Sequence, residues 1–179
     1  MNDGPIIELA PALTNVAWSP DLVAQTLEAL IVYVAPDGLH HLRPIHAPAL
    51  HLGLAPRQEP GDVVRDAAER YGLGPRLVHS TSWRHEDDRV VLTYLVVVAV
   101  PQPLNENLRD ERVSRAELAR GEAMAAPSTI GVDQVLEHAL QHLSWLVKDD
   151  EIVREALPDW LDLLAAYEPE PFRGLGAPA

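Results

Sequence analysis

Asp62, Asp66 and Glu69 are spaced to share one side of a helix. At about 100° per residue, Asp66 and Glu69 fall within roughly 40° of Asp62, with Arg65 beside them. Val64, Ala67, Ala68 and Tyr71 fall on the opposite side. Three carboxylates on one face suit a hard divalent cation, because Mg²⁺ and Mn²⁺ take several oxygen ligands at short range. An arginine among them can orient a carboxylate through a bidentate contact. The same face also suits plain solvation, since acidic residues in a first helical turn are favoured by the macrodipole with no metal present.

Other residues compete for a chemical role. His40, His41, His46 and His51 form a dense group, but alternation along a strand sends neighbours to opposite faces, so the four cannot converge without a bend. His138 and His142, four apart on a helix, have no third ligand nearby in sequence. Ser80, Thr81 and Ser82 lack the glycines of a nucleophile elbow. Trp83 and Arg84 offer a ring to stack a base and a cation for a phosphate, or else a Trp packed at a strand end. The chain has no cysteine, which excludes disulfides, thiolate zinc sites and cysteine nucleophiles.

The elements that must position these residues read as follows. Residues 1–20 are an irregular arm or short edge strand, with a short helix starting at Ser19-Pro20-Asp21. Ile31 to Val34, the turn Pro36-Asp37-Gly38 and Leu39 to Ile45 make a hairpin. Asp62 to Tyr71 is a helix closed by a left-handed Gly72. Leu77 to Trp83 is a strand, and His85-Glu86-Asp87-Asp88 a polar turn. Arg89 to Val100 is the strongest strand, nearly continuous in Val, Leu and Tyr, hence central and buried on both faces. Pro101 to Arg112 reads as a polar loop and Arg115 to Gly121 as a short helix. Val132 to Val147 and Asp150 to Tyr167 are amphipathic helices, the second restarting or kinking at Pro158; its apolar stripe includes Ile152 and Leu161. Residues 168–179 are a Pro/Gly-rich tail. The order predicts an α/β or α+β sandwich with a mixed sheet.

The 179 residues suit one domain, and 47% hydrophobic residues exclude disorder for most of the chain. Against 27 Asp+Glu stand 14 Lys+Arg, a formal net charge of -13 that repels nucleic-acid phosphates. The run MNDGPIIELAPAL has neither the basic nor the apolar stretch of a signal peptide. The longest apolar run falls far short of a membrane span. A cytoplasmic protein binding neither DNA nor membrane is therefore expected.

The stretch GLAPRQEPGDVVRDAAERYGL, Gly53 to Leu73, resembles the Nudix hydrolase superfamily, whose box reads G-x5-E-x7-R-E-U-x-E-E-x-G-U. Gly53 is followed after five residues by Glu59, and Arg65-Asp66-Ala67-Ala68-Glu69-Arg70-Tyr71-Gly72-Leu73 stands in the place of the second half. Three features depart from the box. Five residues rather than seven separate Glu59 from Arg65, Asp66 shortens a glutamate, and Arg70 reverses the charge of the last metal-binding acid. The resemblance extends over roughly Ala29 to Tyr167, and the segment Asp133 to Leu140 with Leu143, Leu157-Pro158 and Tyr167-Glu168 looks like the helices of Nudix-related regulators that carry a winged helix. No basic recognition helix follows in PEPFRGLGAPA.

The resemblance implies a Nudix-like α/β/α sandwich with a mixed sheet plus a C-terminal helical pair. Its parts would be an arm over 1–28, a Nudix-like domain over 29–128, a helical extension over 129–167 and a tail over 168–179. It also implies a metal-dependent hydrolase of a nucleoside diphosphate linked to another moiety. Mg²⁺ or Mn²⁺ would be held by Asp66 and Glu69 with Glu59 or Asp62, Arg65 would sit at the catalytic centre, and a further acid would come from Glu106, Asp110 or Glu111. The alternative, supported by Arg70, is a catalytically inactive module that binds a nucleotide-like ligand or a protein partner. The apolar stripes of the last two helices predict a homodimer.

Overall fold

A computed structural model describes residues 25–86, 89–115 and 130–167. Six strands form one mixed sheet: β1 (Gln25–Ala35), β2 (Gly38–Pro44), β3 (Leu50–Gly53), β4 (Pro75–Glu86), β5 (Arg89–Val98) and β6 (Leu108–Arg112). The path runs β4-β5-β1-β2-β6, with β3 pairing β1 off that path. β1 and β5 are parallel, and the other pairs antiparallel. Along one edge β1 changes partner. Its residues Ile31 to Ala35 pair with β2, and Thr26 to Ala29 pair with β3.

Alternation along the strands makes two cores. Leu27, Ile31, Val96 and Val98 face α1 (Pro60–Arg70), meeting Val64, Ala67 and Ala68. Leu30, Val32, Leu95 and Val97 face α2 (Val132–Asp149), meeting Leu136, Leu140 and Leu143. α3 (Glu151–Ala156) and α4 (Leu161–Leu164), with short 3₁₀ turns at Pro158–Trp160 and Ala165–Tyr167, complete the second layer. Each fully buried Leu or Ile in these cores contributes about 1.5–3 kcal/mol relative to an exposed one. The α/β/α sandwich and its C-terminal helices are as the sequence implied.

Several boundaries differ. β1 begins at Gln25, so residues 25–28 belong to the sheet and not to an arm. β6 falls in the expected polar loop Pro101 to Arg112, and β3 in a stretch that the sequence leaves unassigned. β3 is only four residues long, and β6 has the polar sequence LRDER with Leu108 alone buried, as an edge strand tolerates. β4 runs on to Glu86, through the start of the expected turn. β5 sits between β4 and β1, and β1 takes the middle of the path. Ile152 and Leu161 are exposed, because the chain breaks at Pro158 and the wheel of one continuous helix does not apply across it. The expected helices near Ser19 and over Arg115 to Gly121, and the tail, lie outside the described residues, except Arg115 itself.

Candidate functional site

α1 starts at Pro60, whose fixed φ and missing N–H suit a first helical position. It stops at Gly72, where φ is +77° and the N–H donates to the Glu69 carbonyl at 2.8 Å. Val64, Ala67 and Ala68 bury one side against the sheet, so Asp62, Arg65, Asp66, Glu69 and Arg70 all point to solvent. The wheel is thus correct about which residues share a face. Among the described residues, however, no three His, Asp or Glu side chains stand close enough together to hold a metal ion. Asp62, Asp66 and Glu69 are cofacial without converging, and Arg70 adds a cation to the last turn. As placed, these side chains do not close a three-carboxylate donor set around Mg²⁺ or Mn²⁺. Glu59 stands exposed at the N-cap position without a side-chain capping bond, its charge acting on Tyr94 of β5.

The loop acids part company. Glu106 is exposed in the turn before β6. Asp110 accepts hydrogen bonds from the Tyr33 hydroxyl and the His40 ring, both at 2.8 Å. Glu111, on the other side of β6, takes Arg43 in a two-pronged contact, Nε to Oε2 at 2.9 Å. Trp83 and Arg84, neighbours on β4, likewise separate: Trp83 is 67% exposed with the edge of His85 beside it, while Arg84 turns into the sheet. His142 meets His79 edge-on, 5.1 Å between ring centroids.

What the structure does assemble lies on the face opposite α1. Glu28, on the middle strand and only 1% exposed, is the centre. Arg84 grips both its oxygens, Nη1 to Oε2 at 2.8 Å and Nη2 to Oε1 at 2.9 Å. Thr93 donates to Oε2 at 3.1 Å, and His51 Nε2 lies 3.4 Å from Oε1. Burial alone would raise the Glu28 pKa, but the contacts with His51, Arg84 and Thr93 outweigh it and hold the group down at about 2. Glu28 escaped the sequence reading because it fell at the assigned boundary of an arm. The available signal was a lone carboxylate in the apolar run TLEALIVYV, which must find a partner if it is buried.

This pair borders a cleft of about 750 Å³ beside the connection from β2 to β3. His41, His46 and His51 line it, while His40 faces the other side, as alternation requires. Arg43 and Glu111 form another wall, and Val132 and Asp133 at the amino end of α2 close it from above the sheet. His41 is 5% exposed and its Nε2 has no hydrogen-bond partner among the described residues. Burial pushes its pKa down to about 4, so the ring is neutral near pH 7.

No protein-family model and no curated protein matches this sequence. Solved structures do. NrtR from Shewanella oneidensis shares 12% identity, with a TM-score of 0.54 over 84% of this chain and 80% of that one. A MutT/nudix family protein from Enterococcus faecalis shares 10%, with a TM-score of 0.48 over 75% and 68% of the two chains. The Ap4A hydrolase of C. elegans shares 13%, with a TM-score of 0.38 over 51% and 81%. Taken with the six-stranded mixed sheet between α1 and the α2–α4 layer, the similarity to NrtR shows that the chain has a Nudix-like fold.

Proposed function

We propose that this chain is a Nudix-like module that binds a nucleotide-like ligand, in place of a metal-dependent diphosphate hydrolase. The contrast between the two faces of the sheet supports the reading. On one face the carboxylates of α1 stand apart in solvent. On the other, a cleft of ligand size is walled by side chains already fixed in pairs, Glu28 with Arg84 and Glu111 with Arg43. Such pairing keeps the walls rigid, so little ordering entropy is lost when a ligand enters. The nucleotide-like character of the ligand rests on the likeness of Gly53 to Leu73 to the Nudix box, and on β3, which runs from His51 at the cleft to Gly53 at the start of that stretch.

Thermal unfolding of the full chain with a panel of nucleoside diphosphate derivatives, with and without Mg²⁺, tests this. The expected result is a rise in Tm with ligand that needs no metal, and no turnover. Metal-dependent turnover that Glu69→Gln abolishes would overturn the proposal and restore the hydrolase. In a binding module, Arg70→Glu leaves ligand affinity unchanged, since Arg70 lies on the face away from the cleft. A gain of hydrolysis in that variant would identify Arg70 as what silences the site.

A further inference from the structure

We propose that His51 receives the ligand of the cleft as a hydrogen-bond acceptor, through Nδ1 to an N–H or O–H group, and that buried Glu28 is the positioning residue that holds it in that state. This deepens the binding function proposed above and rests on it. Strand register brings the residues together. Glu28 of β1 stands opposite His51 of β3 on one side and Thr93 of β5 on the other. Side chains directly opposite each other on neighbouring strands project from the same face, so imidazole, carboxylate and hydroxyl lie in a row. His51 Nε2 is 3.4 Å from Glu28 Oε1, and the Glu28 side chain is 1% exposed. Arg84 and Thr93 donate to the same carboxylate and keep it from turning away.

The carboxylate sets the tautomer. An ionised carboxylate only accepts, so the ring nitrogen turned to it carries the proton, and in a neutral imidazole the other nitrogen keeps a lone pair. Glu28 is ionised near pH 7, because its partners hold its pKa at about 2. Nε2–H therefore faces Glu28, and Nδ1 is the acceptor. The His51 side chain is 43% exposed and borders the cleft. With Nε2 turned to a buried partner, the accessible part of the ring lies away from Glu28, and no hydrogen bond among the described residues engages Nδ1. The group it takes bears a proton: the amino group of a base or the hydroxyl of a sugar. A phosphate oxygen would set lone pair against lone pair. It would also add charge to a cleft where Glu28, Glu86, Glu111 and Asp133 outnumber Arg43 and Arg84.

Ring resonances of ¹⁵N-labelled full-length protein near neutral pH test the assignment, in titrations with adenosine, ADP, purine riboside and adenine methylated at the sugar position. The free protein should show His51 protonated on Nε2 alone, and adenosine should move the Nδ1 signal towards that of a hydrogen-bonded nitrogen. His51→Leu should weaken adenosine binding about tenfold, the loss expected of one hydrogen bond. His51→Asn, whose carboxamide oxygen stands about where Nδ1 did, should recover most of that loss, which a residue that only fills the wall would not do. In Glu28→Gln the carboxamide both donates and accepts, so Nδ1 should become protonated in part of the molecules and affinity should fall with it. Purine riboside lacks the amino group and the methylated adenine lacks the sugar, so whichever keeps the Nδ1 shift identifies the donor as hydroxyl or amine. A free ring protonated on Nδ1, loss of the shift with both fragments, or equal affinity in the parent, His51→Leu and His51→Asn overturns the proposal. If adenosine or ADP binds and leaves His51 unmoved, this inference fails and the binding module stands. If none of the four binds, both fail.

Discussion

Adjacent histidines on β2 have opposite electrostatic fates. For His40, burial would lower the pKa, but hydrogen bonds to Asp110 at 2.8 Å and Asp37 at 3.0 Å outweigh it and the net shift is upward. Its stabilising contribution is complete below the ordinary value of 6.5 and is lost as pH rises through the raised pKa. His41 runs the other way. Its pKa is depressed from 6.5 to about 4, so its contribution is present above 6.5 and is lost as pH falls towards 4. Urea unfolding across that range should show His41→Phe losing less stability on acidification than the parent, and His40→Gln losing the gain that protonation provides. Identical pH slopes in both variants and the parent would contradict these assignments. Glu28 and Arg84 carry a larger stake. Arg84→Ala leaves a buried carboxylate without its cation, and should cost about 3–5 kcal/mol in the same measurement.

At the scale of elements, the hairpin, α1 with its Gly72 stop, β5 and α2 were legible because local pattern decides them. Pro36-Asp37-Gly38 sets a turn, and Val64, Ala67 and Ala68 repeat at helical spacing. Gly72→Ala should cost about 1 kcal/mol by thermal melting, because a Cβ meets no neighbour there and only the positive φ opposes it. β6 was not legible. Arg109 to Arg112 carry charge at every position, and only pairing with β2, from far away in sequence, makes them a strand. The candidate site divides in the same way. The cofacial acids of α1 follow from spacing alone, but Glu28, Arg84 and Thr93 meet only after β1, β4 and β5 align, and no local rule states that register.

For the whole molecule, the described residues contain no helix long and apolar enough to cross a membrane. The apolar stripe of α2 is consumed within the chain, packing on the sheet and on Val153, Trp160 and Leu164. On the helical layer a homodimer would have Trp145, Ile152 and Leu161 to use, 55%, 79% and 42% exposed. Light scattering should give twice the chain mass, and Trp145→Asp the single mass; a monomeric parent would reject the dimer. A separate cross-brace holds the helical layer near the end of β6. Arg115 reaches buried Glu137 at 2.7 Å, lies 4.6 Å from the centre of the Tyr167 ring and donates to the Ala166 carbonyl.

The split edge of β1 has a consequence for how such a chain can diversify. Because β2 and β3 share that edge in succession, residues 45–48 between them bridge a notch before Ala49 returns to the core. Ile45, His46, Ala47 and Pro48 also border the cleft. Lengthening or shortening this one connection would widen or narrow the mouth while both apolar layers keep their neighbours. Insertions and deletions tolerated here offer descendants of this sequence a route to new ligands without refolding.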